Sequence, residues 1–185
     1  MRITSEKILP DTHPALRKKC EPVTLPLSVE DKQLLLDMLQ HVRASRDPKL
    51  KEKYNLRGAV GLAAPQIGVL KQMVAISINY EDGDLLEFGF VNPKIISHSK
   101  QQSYIAHGES CLSIPEDVPG YVPRFARITI KGYDIITDKE ITVRLSGYEA
   151  IVAQHEIDHL AGVLYYDHIN QENPFAPIAN ALVIE

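Results

Sequence analysis

The sequence predicts an α+β fold in which mainly antiparallel sheets pack around one central helix. Residues 73–145 contain short apolar or alternating segments separated by turn signals, which is the pattern of strands. A late segment, residues 147–161, carries apolar side chains at helical spacing. Strands that cluster before a late helix are typical of an α+β fold. The 185 residues are 44% hydrophobic and contain no linker, so we expect one domain over residues 1–185.

The charge and composition favour a peptide or small-molecule substrate over nucleic acid. The formal net charge is -4, and the scattered lysines and arginines form neither a basic stripe nor a direct nucleic-acid motif. Residues 1–7 have no apolar leader, and no apolar run reaches membrane-spanning length. We therefore expect a cytoplasmic protein with no membrane partner. Cys20 and Cys111 are too few for a disulfide framework and should be thiols or metal ligands.

The first 68 residues predict an arm, a helix, an insertion and a small-residue run. Four prolines in residues 10–26 indicate an extended arm across the body. Ser28 has the position of an N-cap, and the apolar spacing that follows predicts a helix that ends before Pro48. Residues 47–57 resemble a polar surface insertion that could form a short helical turn. The small residues between 58 and 68 form either a tight loop or a place where a ligand approaches the backbone closely.

The later strands follow from alternation and turn signals. Residues 73–78 form one apolar strand, and residues 85–91 form a second that the Asn92-Pro93 pair breaks. Residues 127–131 and 141–145 alternate as half-buried strands do. Beyond the late helix, we expect a short extended piece at residues 165–169 and a final strand at residues 181–184.

The late helix has its own boundary signals. Ser146 and Glu149 have the spacing of a capping box, in which the glutamate reaches back to the N-cap, and Gly162 is a natural C-terminal stop. Tyr148, Ile151 and Val152 share a face with the histidines discussed next, so that face should point into the protein.

A histidine pair on this helix predicts a catalytic metal site. His155 and His159 are one turn apart on one face, and Glu156 lies on the flank of that face. This spacing allows both imidazoles to bind one metal ion while the carboxylate reaches a water on that ion. Without further ligands, the pattern is typical of a zinc protease.

A catalytic site needs at least one more protein ligand, and the sequence leaves its identity open. Tyr165 stands six residues after the second histidine, where one group of zinc proteases has a third histidine, and His168 lies further on. Glu172 would serve if it were on a helix, but its neighbours at residues 170–174 disfavour one. Cys111 remains as an upstream donor, although an isolated buried cysteine ordinarily packs as a small hydrophobe.

Three stretches together resemble the peptide deformylase family. They are Gly61 to Gln66, Glu109 to Ser113 and His155 to His159, in the order that the family has them. The polar insertion and the non-helical C-terminus are similar to the longer, type 2 form found in Gram-positive bacteria. The family usually has glycine where Ala59 and Ser110 stand, and both replacements are small.

The resemblance implies a metal-dependent hydrolase that removes the N-formyl group from the formyl-methionine of nascent polypeptides and releases formate. Cys111, His155 and His159 would bind one divalent metal ion, with water in the fourth position. Fe²⁺ would be the ion in the cell, while Zn²⁺, Ni²⁺ or Co²⁺ suit the same donors. The metal would lower the pKa of its water to about 7, and the resulting hydroxide would attack the formyl carbon. Glu156 would act as general base and then as general acid.

The resemblance also assigns the groups around the reaction. Gln66 would donate its side-chain amide, and Leu112 its backbone N–H, to the oxyanion. Gly61 would bind the substrate peptide through its backbone, in the manner of a strand. We expect Glu109 to pair with Arg124. The methionine side-chain pocket would be lined by Val60, Tyr148, Ile151 and Val152.

The partners implied are nascent formyl-methionine polypeptides and the ribosome near its exit tunnel. Two alternatives stay open on the sequence. One is a zincin-type metalloendopeptidase, for which a downstream ligand is missing. The other is a non-catalytic structural metal site, whose ligands would all be protein atoms.

Overall fold

The computed structural model describes residues 3–80 and 82–185. The helices in these ranges are α1 (Val29–Ala44), α2 (Pro48–Lys53) and α3 (Gly147–Leu160). The strands are β1 (Gly61–Ala63), β2 (Met73–Asn79), β3 (Leu85–His98), β4 (Gln102–Ile105), β5 (Arg124–Phe125), β6 (Arg127–Asp134), β7 (Lys139–Ser146) and β8 (Leu182–Ile184). None of the described helices has both the length and the apolar character needed to cross a membrane.

Two sheets confirm the predicted α+β class. The larger sheet has the order β1-β2-β3-β6-β7, and all its neighbouring strands are antiparallel. The smaller sheet has the order β5-β4-β8, in which β4 is antiparallel to β5 and parallel to β8. β1 is an edge strand, so within the described part of the chain its outer backbone groups have no strand partner.

The first helix forms as its sequence predicts. The Ser28 hydroxyl accepts a hydrogen bond of 3.0 Å from the backbone N–H of Asp31, which satisfies one of the free amides at the helix start. The apolar face packs against β1 and β2 through the fully buried Leu35, Met38, Leu39 and Val42. The helical turn expected in the polar insertion is α2.

The third helix contacts strands of both sheets. It packs against β1, β2 and β7 of the larger sheet and against β4, β5 and β8 of the smaller one. Ala150 and Ala153 are fully buried, and their small side chains allow the helix to approach the sheet closely. The Gln154 side chain donates to the Phe125 carbonyl and accepts from the Phe125 N–H, both at 2.9 Å, which ties the helix to β5.

The predicted capping box of α3 is wrong, whereas its predicted stop is confirmed. Ser146 occupies the N-cap position, but its hydroxyl makes no capping hydrogen bond. Glu149 accepts a hydrogen bond from the Tyr80 hydroxyl, which follows β2, so its carboxylate is engaged by a tertiary contact. Gly162 has φ of 76° and lies so close to Arg17 that a Cβ would be 2.7 Å from its backbone.

The predicted break of the second strand at Asn92-Pro93 is also wrong, since β3 continues to His98. Asn92 has φ of 50°, and the pairing with β6 shifts its register at this point. The Asn92 side chain exchanges two hydrogen bonds of 2.8 Å with the backbone of Val23. A β-bulge thus accommodates the proline, and the N-terminal arm stabilises the bulge.

The C-terminal region corrects one prediction and confirms another. Residues 165–169 are not extended, because Tyr165–His168 is a 3-10 helix whose start is closed by a bond from the Leu164 N–H to the Asp167 carboxylate. The final strand is present as β8. The N-terminal arm is largely extended as expected, apart from 3-10 turns at Ser5–Lys7 and Pro14–Arg17.

Candidate metal centre

A thiol and two imidazoles meet beneath a cavity. Cys111 lies on the loop between β4 and β5, and His155 and His159 project from α3. All three side chains are buried, and their ligand atoms lie within 4.8 Å of one another. The Cys111 Sγ is 3.4 Å from the His159 Nε2. Within residues 3–80 and 82–185, no other group of three such side chains has this geometry.

The donor set fits a divalent transition metal. A thiolate and neutral imidazoles suit Zn²⁺ and Fe²⁺, and also Co²⁺ and Ni²⁺. Burial, together with the neighbouring His155, holds the pKa of His159 well below its ordinary value, so His159 is a neutral imidazole that can act as a ligand. The Nδ1 of His155 is engaged by Glu109 at 2.8 Å, which leaves its Nε2 for the metal. A carboxylate that orients a ligating histidine in this way is a regular feature of metal sites.

A buried network of charges fixes that carboxylate. Arg124, at the start of β5, donates to both oxygens of Glu109 at 2.8 and 3.0 Å, so the predicted pair is confirmed. Desolvation raises the pKa of Glu109, but Arg124 and His155 outweigh it and lower the pKa to about 2. Arg124 also pairs with Asp158, which His168 contacts at 2.7 Å. Asp158 is therefore an ion-pair residue, and His168 is occupied by it.

Glu156 faces the same cavity. Its Oε2 is buried and unpaired among the described residues, and burial raises the pKa of Glu156 to about 7. Gly61 of the edge strand lies directly against it, since a Cβ at that position would be 2.2 Å from the Glu156 Oε1. A carboxyl group that titrates near neutral pH can both accept and return a proton.

Gln66 is held with its amide toward the thiol. Its Oε1 accepts from the Ala63 N–H at 2.8 Å, and its Nε2 donates to the Cys111 Sγ at 3.4 Å and to the Ser113 Oγ at 3.3 Å. The backbone at Leu112 is restrained as well, because the Arg57 guanidinium donates to the Leu112 carbonyl at 3.2 Å.

The cavity has a volume of about 430 Å³ and brings together the predicted substrate residues. His159 is the one predicted site residue that is absent from its wall, and it is buried at 1% exposure. The predicted residues on the wall are Val60, Gly61, Gln66, Cys111, Leu112, Tyr148, Ile151, Val152, His155 and Glu156.

Two arginines of the cavity wall, Arg46 and Arg57, are not among the site residues predicted from the sequence. Arg46 follows α1. The helical periodicity of that segment predicts which side chains are buried, but it does not predict that Arg46 lies beside a cavity formed by other elements. Arg57 ends the polar insertion, which carries no motif. In the sequence, only its position beside the small-residue run indicates that Arg57 could lie near a site.

These features define a class of protein. A metal-dependent hydrolase needs sulfur or nitrogen donors for the metal, a nearby carboxyl group that titrates around neutrality and an open cavity for the substrate. The site has all of these, and an edge strand borders the cavity. The downstream ligand that a zincin-type endopeptidase requires is not supplied by His168, which contacts Asp158, or by Glu172, which is exposed.

Comparison with known proteins identifies the family. The family model for polypeptide deformylase matches residues 5–175. The chain is 52% identical to peptide deformylase 2 of Bacillus subtilis over 183 residues, which cover 99% of each chain. It is 53% identical to peptide deformylase 2 of Geobacillus stearothermophilus over 173 residues, which cover 94% of each chain.

Solved structures agree with this assignment. The peptide deformylase of Thermus thermophilus is 30% identical with a TM-score of 0.69, and the match covers 90% of this chain and 86% of that one. The peptide deformylase of Legionella pneumophila is 29% identical with a TM-score of 0.68, and the match covers 89% and 86%. The chain belongs to the polypeptide deformylase family. Its function is the metal-dependent removal of the N-formyl group from nascent polypeptides, and the endopeptidase alternative is not favoured.

Proposed function

We propose that Cys111, His155 and His159 hold one divalent metal ion against α3, and that residues 1–185 form a single catalytic domain around it. The buried cluster of one thiol and two imidazoles supports this ligand set. Fe²⁺ is the proposed ion in the cell, and the same donors accept Zn²⁺, Ni²⁺ or Co²⁺. When bound, the ion supplies Lewis-acid chemistry, since it lowers the pKa of a water to about 7 and polarises the formyl oxygen.

Glu156 is the proposed general base and acid. The observation that carries this role is its buried, unpaired Oε2 beside the ligand cluster, with a pKa of about 7. Glu156 takes a proton from the attacking water and later delivers it to the nitrogen of methionine as the C–N bond to the formyl carbon breaks. The products are formate and a free amino terminus, so one water is consumed in each turnover.

Gln66 and Leu112 are the proposed donors to the oxyanion that forms on the formyl oxygen. The Gln66 amide is fixed by the Ala63 N–H, which keeps its Nε2 on the side of Cys111. Arg57 donates to the Leu112 carbonyl, which anchors this residue on the cavity wall. A donor that is already in position contributes about 3 kcal/mol to such a barrier.

The edge strand β1 is the proposed binding site for the substrate backbone. Gly61 lies on this strand beside Glu156, and its outer side is open to a peptide that pairs as an additional strand. The methionine side chain then enters the apolar part of the cavity, between Val60 and the α3 residues Tyr148, Ile151 and Val152.

The proposed setting is the cytoplasm, beside the exit tunnel of the ribosome. This proposal rests on the substrate, because a formylated nascent chain first becomes accessible where it leaves the ribosome.

A formate-release assay tests the proposed roles. Protein loaded with iron under anaerobic conditions should release formate from formyl-Met-Ala-Ser, and Glu156→Gln should lower kcat by at least about 100-fold because the proton acceptor is lost. Glu149→Gln is the matched control, since this carboxylate lies on the same helix but contacts Tyr80. Metal analysis should give the same iron content for all three proteins. Full activity of Glu156→Gln would exclude the proposed role.

A further inference from the structure

Arg46 places a guanidinium group on the wall of the cavity, directly after α1. Its Nη2 donates to the Ser77 Oγ at 2.6 Å, which fixes the side chain. Its Nε is buried and has no hydrogen-bond partner within the described part of the chain. A buried donor without a partner is costly.

No carboxylate of the described residues pairs directly with Arg46. Glu87 is the acid beyond Ser77, but Arg43 occupies it through a hydrogen bond of 2.7 Å from its Nε and a second from its Nη2. The Ser77 hydroxyl donates to the same carboxylate at 2.8 Å. Burial lowers the pKa of Arg46 and Glu87 opposes this, but a guanidinium stays protonated in proteins. Arg46 therefore offers a charged donor that the protein itself leaves available.

The position of Arg46 connects it with the side-chain pocket. The Ser77 N–H donates to the Val60 carbonyl at 2.9 Å, so the residue that anchors Arg46 also holds a wall residue of that pocket. The Ser45 hydroxyl accepts from the Ala59 N–H at 3.0 Å and ties the end of α1 to the same segment. Val60, Ile151 and Val152 supply apolar side chains to this wall and Tyr148 supplies a phenol, so the Arg46 guanidinium is the charged donor among the residues assigned to the pocket and its neighbours on α1.

We propose that Arg46 determines which first side chains the pocket accepts, by donating a hydrogen bond to an acceptor atom at the end of the side chain. The proposal rests on the assignment of the methionine pocket made above. Three side chains of similar length differ in this atom. Norleucine has none, the thioether of methionine is a weak acceptor, and the oxygen of methionine sulfoxide is a strong one.

The experiment compares kcat/KM for formyl-Met-Ala-Ser and its norleucine and methionine sulfoxide analogues. In the unmodified protein we expect methionine to exceed norleucine by about 5-fold and the sulfoxide to remain a substrate. Arg46→Met keeps the length of the side chain and removes the charged donor. It should abolish the preference for methionine over norleucine. It should also lower the ratio of kcat/KM for the sulfoxide peptide to kcat/KM for the norleucine peptide by about 100-fold.

Arg57→Met is the matched control, because Arg57 lies on the same cavity wall but donates to the Leu112 and Ile114 carbonyls. It should change all three rates by a common factor. Thermal unfolding checks that each variant is folded, and Arg46→Gln, which keeps a neutral donor, should give intermediate ratios if Arg46→Met does not fold. Equal substrate ratios in the unmodified and Arg46 proteins would overturn the proposal. Absence of formate release from the methionine peptide would instead overturn the proposed function.

Discussion

Gly61 illustrates how a missing side chain positions a reactive one. The Glu156 carboxylate occupies the space in which a Cβ of residue 61 would lie. The close approach is a property of the packing between β1 and α3. The family resemblance implies that Gly61 binds substrate through its backbone, and this packing is a second reason for glycine at the position.

Replacement of this glycine should damage catalysis more than stability. In Gly61→Ala the new Cβ forces the Glu156 carboxylate to move, and a displacement of about 1 Å near the reacting groups costs about 100-fold in rate. The three nearest atoms, at 2.2 to 2.7 Å, all belong to the Glu156 side chain and none to the backbone, so the midpoint of thermal unfolding should change little. Gly58→Ala is the control, because a Cβ there meets nothing closer than 3.6 Å. A normal kcat for Gly61→Ala would contradict this account.

The buried His41 of α1 contributes to the pH dependence of stability. It is buried, its Nδ1 lies 3.2 Å from the Ile3 carbonyl, and its Nε2 has no partner among residues 3–80 and 82–185. Burial lowers the pKa of His41 below its ordinary value of 6.5. The unfolded chain therefore binds a proton more readily than the folded chain does, and stability is lost as the pH falls below about 6.5.

His41→Leu should reduce this loss. Urea unfolding at pH 7.5 and pH 5.5 should show a smaller decrease in unfolding free energy for the variant, by up to about 1 kcal/mol. His107→Gln serves as the control, since His107 is exposed and should leave the decrease unchanged. An identical decrease in the unmodified and His41→Leu proteins would show that His41 is not the titrating group.

At the scale of elements, two serines in equivalent N-cap positions have different roles. The Ser28 hydroxyl caps α1, whereas the Ser146 hydroxyl makes no capping hydrogen bond. Local sequence supports a cap at both helices, but α3 begins directly after β7, and the Gly147 N–H already donates to the Ala126 carbonyl at 3.0 Å. A tertiary contact therefore satisfies the first amide of the second helix, where no side-chain cap forms.

Alanine substitution should separate the two serines. Ser28→Ala should lower the unfolding free energy by about 1 kcal/mol, the usual cost of removing an N-cap. Ser146→Ala should lower it by only a few tenths, because no cap is lost. Equilibrium urea denaturation of both variants measures the difference, and equal losses would argue against the assigned caps.

Most elements could be predicted from the sequence, because their signals are local. Helix α1, the strands and the stop at Gly162 depend on periodicity and turn chemistry within a few residues. The failures have non-local causes. The strand passes through Asn92 only because Val23 of the distant arm pairs with it, and residues 165–169 coil because Tyr165 is buried and Asp167 closes the turn.

At the scale of the whole molecule, the proposed ligands come from two separate parts of the chain, the loop between β4 and β5 and the helix α3. A metal ion bound to them stabilises the folded state, because the unfolded chain lacks the preformed cluster.

Metal removal should therefore lower stability. Addition of a chelator to iron- or zinc-loaded protein should lower the midpoint of thermal unfolding. The expected loss in unfolding free energy is about 4 kcal/mol if the free ion was present at 1,000 times its Kd before the chelator was added. Cys111→Ala should respond much less. Cys20→Ala removes the other buried thiol and should keep the full response. A midpoint that is insensitive to the chelator in all three proteins would count against the metal site.

The sequence by itself determined the α+β class, the main elements, the helical spacing of His155 and His159 and, through its three motifs, the family. These features depend on interactions between near neighbours or on residue identity alone. The family resemblance also implied that Cys111 joins the two histidines, and its Sγ lies 3.4 Å from the His159 Nε2. Only the tertiary structure decided that Gly61 touches Glu156 and that Arg46 reaches the cavity. The physical reason is that each of these contacts depends on how sheets, loop and helix pack together, and no local pattern encodes that packing.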